Sequence, residues 1–208
     1  MVQPAGSCQM EIENPFSAGY VLITAGTNDV HALRTELLAI EGVRLVHALI
    51  GPDDLICFVD AADATNFRRI LDRGIRKLMD QGLIEHTETM IVLADSGHGY
   101  SGDENRPAPA AAWLLCDLAV GDPEPVAKKL LEVEGVRNAH PVLGRYDIVV
   151  YLEAVSIAEL MRVLDEGIRH ITEVRKTDTR LVLMNIGDGI PERNRQDQKI
   201  IGTRRRAI

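Results

Sequence analysis

Residues 41–60 read EGVRLVHALIGPDDLICFVD, and residues 134–153 read EGVRNAHPVLGRYDIVVYLE. Glu41-Gly42-Val43-Arg44, His47, Gly51 and Asp54 return as Glu134-Gly135-Val136-Arg137, His140, Gly144 and Asp147, always at one interval: 134 − 41 = 140 − 47 = 147 − 54 = 93. A spacing held through turns, apolar runs and polar residues marks two copies of one domain. Thr87 and Thr89 match Thr177 and Thr179 at 90, so the first copy holds three extra residues after its second helix, at a connection where a fold tolerates an insertion.

Working outward, the copies span 19–94 and 112–184, between an N-terminal extension (1–18), a connector (95–111) and a polar, locally basic tail (185–208). The connector, DSGHGYSGDENRPAPAA, is too rich in Gly, Ser and Pro to build a packed element. Its glycines lack the strand before and helix after that phosphate binding requires, and no nucleophile–base set, P-loop or dinucleotide fingerprint occurs elsewhere, so no cofactor is expected.

Each copy alternates periods of two and 3.6. A strand (Tyr20 to Ala25, or Trp113 to Leu118) leads into a helix with apolar positions Val30, Leu33, Leu37 and Ile40, or Val126, Leu130 and Val133. Asp122 can cap the second of these helices, and Pro123 suits its first position. Two strands follow around a short turn, then a helix carrying Phe67, Ile70, Leu71, Ile75 and Leu78, or Leu160, Val163, Leu164, Ile168 and Ile171, then a last strand. The order β-α-β-β-α-β is that of the ferredoxin-like α+β sandwich. Leu55-Ile56-Cys57-Phe58-Val59 and Ile148-Val149-Val150-Tyr151-Leu152 are apolar on both faces, so the side away from the helices must be covered as well. The simplest cover is the other copy, packed sheet to sheet as an intramolecular pseudo-dimer of the dimeric α/β-barrel type.

Composition narrows the chemistry. At 208 residues, 46% hydrophobic and 26% charged, the chain has room for two small cores. A net charge of −8 disfavours a general phosphate-binding surface. Cys8, Cys57 and Cys116 form no C-x-x-C, two lie in apolar runs, and no membrane span or secretory leader is visible, which together fit the cytoplasm. His47 and His140 recur at one strand position, but without H-x-x-H, H-x-x-x-H or a cysteine cluster they read as strand residues near the sheet interface, not metal ligands. Arg69/Arg162 and Arg76/Arg169 read as solvated or ion-paired helix faces. Gly74 and Gly167, inside helices at a cost of about 1 kcal/mol each, read as points of close packing.

The second copy resembles the ligand-binding (RAM) domain of Lrp/AsnC transcription regulators. The resemblance rests on Val133-Glu134-Gly135-Val136, the turn Gly144-Arg145-Tyr146-Asp147 and the closing Thr177-Asp178-Thr179-Arg180-Leu181-Val182-Leu183. The first copy shares Glu41-Gly42-Val43 and Thr87-Glu88-Thr89, but its turn reads Gly51-Pro52-Asp53-Asp54 and lacks the tyrosine. The resemblance implies a small effector, typically an amino acid, bound where dimers meet, with the G-x-Y-D turn in the pocket: Gly144, Arg145, Tyr146, Asp147 and Thr177, with Gly51 and Asp54 as a degenerate counterpart. Asp147 offers a carboxylate for an α-ammonium group and Gly144 permits close approach. Gly and Asp equally suit a plain tight hairpin.

Family regulators place a helix-turn-helix domain first, and the residues before Tyr20 are too few for one, so direct DNA binding is not expected. The resemblance implies a tandem effector-binding and oligomerisation module working through a homo-oligomer or through co-assembly with another regulator. Two alternatives remain open at this point: a tetrapyrrole decarboxylase of Lrp-like type, using His47, His140 and the paired arginines, or a purely structural assembly protein.

Overall fold

A computed structural model describes residues 16–93 and 108–183. The N-terminal extension up to residue 15, the connector from 94 to 107 and the basic tail from 184 lie outside the described residues. The first copy comprises β1 (Ala18–Ala25), α1 (Val30–Leu38), β2 (Val43–Ile50), β3 (Leu55–Asp60), α2 in three segments (Ala64–Arg69, the π-type turn Ile70–Ile75, Arg76–Asp80) and β4 (Ile84–Val92). The second repeats it as β5 (Ala110–Leu118), α3 (Pro123–Leu131), β6 (Val136–Leu143), β7 (Ile148–Ala154), α4 (Ile157–Arg162, the π-type turn Val163–Gly167, the 3-10 turn Ile168–His170) and β8 (Val174–Val182). Strand β5 begins inside the stretch whose composition reads as connector, because Ala110 and Ala111 are small apolar residues that pair with Ala154 and Glu153.

Helix starts are duplicated along with the pattern. Asp29 and Asp122 accept hydrogen bonds from the backbone N–H groups of Ala32 and Glu124, while Asp63 and Ser156 accept from Asn66 and Glu159. Each removes one orphan donor, an effect of about 1 kcal/mol. Both second helices carry a π-type turn ending at or beside the repeated glycine. A Cβ on Gly74 would stand 2.8 Å from Ile40 Cγ2, and one on Gly167 would stand 2.7 Å from Val133 Cγ1. Ile40 and Val133 are themselves a repeat pair, so the glycines let each second helix approach the residues just past the end of the first.

Both sheets are antiparallel, ordered β2-β3-β1-β4 and β6-β7-β5-β8. They meet face to face and close into one eight-stranded barrel along two seams. At one seam Leu49 pairs with Val182 and Ile50 with Leu181; at the other Ile91 pairs with Leu143 and Val92 with Val142. The two-sided apolar strands are thereby explained. Leu55, Cys57 and Val59 pack under α1 and α2, whereas Ile56 and Phe58 enter the barrel. Ile148, Val150 and Leu152 pack under α3 and α4, whereas Val149 and Tyr151 enter the barrel. Burying one such large side chain contributes about 1.5–3 kcal/mol, and the barrel interior exists only because both copies line it. Cys57 and Cys116 behave as buried hydrophobes, with burial pushing each thiol up to about 12.

Candidate functional site

The barrel centre is built by reciprocal exchange. Tyr20 on β1 and Trp113 on β5 occupy one repeat position, and each reaches the imidazole of the opposite copy. The Tyr20 hydroxyl lies 2.5 Å from His140 Nδ1, and Trp113 Nε1–H donates to His47 Nδ1 at 3.1 Å. Indole can only donate, so His47 Nδ1 accepts and the ring proton sits on Nε2. Tyr20 and Trp113 meet edge to face at 5.5 Å, flanked by Phe58 and Tyr151. Both imidazoles are 2% exposed, and burial lowers His140 to about 4. Rings so enclosed hold the copies together rather than offer a base to solvent. Among the described residues no three His, Cys, Asp or Glu side chains are placed to hold a metal ion.

The repeated turns lie at the seams, and their aspartates share one task. Asp54 Oδ2 accepts from the Ala25 N–H at 2.8 Å, and Asp147 Oδ2 accepts from the Leu118 N–H at 2.7 Å. Each thereby ties its β2–β3 or β6–β7 turn to the end of β1 or β5, filling a donor left over where the strand register shifts. The glycines admit a residue of the opposite copy. A Cβ on Gly51 would lie 2.7 Å from Arg180 Cδ, and one on Gly144 would lie 2.9 Å from Met90 Cγ.

Between these fixed points the turns differ. In the first, Asp53 accepts from Arg180 Nε at 3.2 Å in a largely buried ion pair. In the second, buried Tyr146 donates to Asp178 Oδ2 at 2.8 Å, while Arg145 lies over the Tyr146 ring and 3.5 Å from Glu88 Oε2 of the first copy. Hydrogen bonds from Lys176 and Tyr146 hold the Asp178 carboxyl below its usual range. Burial and the Asp178 hydrogen bond push the Tyr146 phenol up to about 12, keeping it a donor. Arg145 remains 64% exposed in its side chain. On this turn an exposed cation thus stands beside two carboxylates, Glu88 from β4 and Asp178 from β8.

Of the residues named from sequence, Gly144, Arg145, Tyr146 and Asp147 share this turn, and Gly51 and Asp54 share its counterpart. Thr177 does not join them. Strand alternation sends it to the helix side with Leu181 and sends Asp178 into the barrel. Asp178, Glu88 and Arg180 belong to the closing motifs but not to the site residues named from sequence, although the middle residue of both T-x-T motifs is acidic.

Apolar side chains border both turns. Ile50 and Leu143, immediately before the glycines, are 55% and 57% exposed, and Leu93 and Leu183, immediately after β4 and β8, are 41% and 40% exposed. Leu183 N–H donates to the Ala48 carbonyl and Leu93 N–H to the Pro141 carbonyl, which fixes one such pair at each seam.

Residues 19–98 and 117–190 each match the Lrp/AsnC ligand binding domain. The chain belongs to the Lrp/AsnC family. Comparison with curated proteins gives no match. Among solved structures, the Lrp/AsnC chain is similar to FFRP-DM1 at 31% identity, covering 36% of this chain and 99% of that one, with a TM-score of 0.34. PHS023 from Pyrococcus horikoshii is 28% identical over 39% of this chain and 99% of its own, with a TM-score of 0.36. The siroheme decarboxylase NirDL is 10% identical over 79% of this chain and 70% of its own, with a TM-score of 0.61, a likeness of fold across both Lrp/AsnC domains. No helix among the described residues is long and apolar enough to cross a membrane.

Proposed function

We propose that this tandem Lrp/AsnC chain binds a small zwitterionic effector, such as an amino acid, at the turn Gly144–Asp147, and self-assembles through the seams on which that turn lies. The observation that carries the reading is the juxtaposition of Arg145, Glu88 and Asp178 beside exposed Leu143. Arg145 offers a fork for an α-carboxylate, and Glu88 and Asp178 offer acceptors for an α-ammonium group. A neighbouring copy docked on Leu143 and Leu93 would exclude water from that cluster and strengthen every charged contact in it. The regulatory output then passes through assembly with other copies or with another regulator.

The first turn is assigned a structural part. Pro52 removes a backbone donor, and the Asp53–Arg180 pair already fills the charge positions. A tetrapyrrole decarboxylase is the second reading, supported by fold likeness alone. His47 and His140, the side chains it would draw on, are enclosed in the barrel centre, so a visible absorption band on adding a tetrapyrrole would be needed to favour it.

A thermal-shift screen of the purified chain against the amino acids tests the proposal, since a ligand at about 100 times its Kd stabilises the folded state by about 2.7 kcal/mol. Arg145→Ala should abolish the shift and Tyr146→Phe should weaken it. Asp147→Ala is a poor probe, because that carboxylate also holds the Leu118 N–H. A shift that survives Arg145→Ala unchanged places the pocket elsewhere.

A further inference from the structure

The duplication supplies an internal control for surface charge, and α2 departs from α4 in one respect. Arg68, Arg69, Arg73, Arg76 and Lys77 all lie on α2, while the rest of the first copy adds only Arg34 and Arg44. Two rows run along its exposed side. In one, Asp72 sits between Arg68 at 3.2 Å and Arg76 at 3.9 Å and compensates them. In the other, Arg69, Arg73 and Lys77 are exposed, and none forms an ion pair among the described residues. Arg69 donates to the Asn66 side-chain oxygen.

The matching positions on α4 hold Arg162, Glu166 and His170, with Arg162 pairing to Glu166 and Arg169 to Asp165. Like charges four apart destabilise a helix by about 0.2–0.5 kcal/mol per pair, and the α2 row contains two such pairs. Favourable placement near the negative helix C-terminus accounts for Lys77 but not for Arg69 and Arg73 in earlier turns. A straight α-helix would skew a four-residue row by about 40° per step. The π-type turn at Ile70–Ile75, with more residues per turn, opposes that skew over the part of the row it spans.

We propose that this face of α2 docks an acidic helical segment of a partner protein. Carboxylates at every fourth position of a helix recur about every 6 Å along one slanting stripe, and the long side chains of Arg69, Arg73 and Lys77 can reach across the skew between that stripe and the α2 row, so a partner helix lying alongside meets charge with opposite charge. A long polyanion such as nucleic acid fits less well, since the remainder of a chain of net charge −8 repels it. The inference stands whether or not the Gly144 turn binds an effector.

The test uses the full chain and three labelled probes: an alanine-based helical peptide with glutamate at every fourth position, a peptide of the same composition with the glutamates scattered, and a single-stranded oligonucleotide of equal charge. At about 50 mM salt, where exposed charges still act across a Debye length, the ordered peptide should bind in preference to both others. Replacing Arg69, Arg73 and Lys77 together with Gln should weaken it about tenfold, whereas Gln at Lys128, Arg169 and Arg175, an equal loss of charge, should change it by less than about twofold. Failure of the ordered peptide to bind, equal loss in the two triple variants, or preference for the scattered peptide or the oligonucleotide overturns the proposal.

Discussion

Tyr20 and His140, 120 residues apart in the chain, meet at 2.5 Å inside the barrel, and the bond runs from one copy into the other. Deleting one oxygen by Tyr20→Phe leaves the ring packing with Phe58 and Trp113 in place but removes this hydrogen bond from a buried imidazole. A loss of about 1–3 kcal/mol is expected in urea unfolding. An unchanged midpoint would mean that the hydrogen bond contributes nothing to holding the copies together.

Acid should loosen the same centre. Burial lowers His140 from 6.5 to about 4, so the unfolded chain takes up this proton more readily than the folded one. The contribution of His140 is whole above about pH 6.5, declines as pH falls towards 4 and then levels off, with a slope of at most about 1.4 kcal/mol per pH unit. Stability curves for the wild type and His140→Gln between pH 7 and 5, before most carboxylates titrate, should differ in slope. Parallel curves would falsify this assignment.

Asp54→Ala and Asp147→Ala should each cost about 1–2 kcal/mol, and by similar amounts, because each carboxylate accepts one backbone N–H at the end of a central strand. The pair of unfolding free energies checks this. A large loss at one position and none at the other would show that the two turns are not built alike.

Gly74→Ala and Gly167→Ala present a conflict of signs. Helix propensity favours alanine by about 1 kcal/mol, but the new methyl would press on β-branched Ile40 or Val133, which have little rotamer freedom to yield. Overpacking of this kind costs about 1–3 kcal/mol, so net destabilisation is expected. Pairing Gly74→Ala with Ile40→Ala should recover part of it by removing the obstructing methyl. A stabilised single variant would show that α2 and α4 do not need the close approach to Ile40 and Val133.

Much of this architecture was legible in the sequence, and the reasons are local. The 93-residue interval, the helix caps at Asp122 and Pro123, and the apolar character of Leu55–Val59 on both faces led directly to two β-α-β-β-α-β copies facing each other. The π-type turns were not legible, since a one-residue widening leaves the apolar helical pattern nearly unchanged. Nor were the partners across the barrel: Tyr20 with His140 and Arg180 with Asp53 depend on how two sheets stack, which no spacing within either copy encodes. The turn Gly144–Asp147 was found as a unit, but its aspartate has a backbone partner, and the carboxylates nearest Arg145 and Tyr146 lie on β4 and β8, far away in the chain.

The seam ladders have a further consequence. Each consists of two residue pairs, Leu49 with Val182 and Ile50 with Leu181 on one side, Ile91 with Leu143 and Val92 with Val142 on the other. Such short ladders would hold two separate polypeptides together only weakly, and their association would fall off on dilution. Joined in one chain, each half meets the other at an effective concentration in the millimolar range, set by the connector rather than by expression level. The interior shared by Tyr20, Trp113 and both histidines can therefore persist at protein concentrations where a dimer of single domains would have come apart.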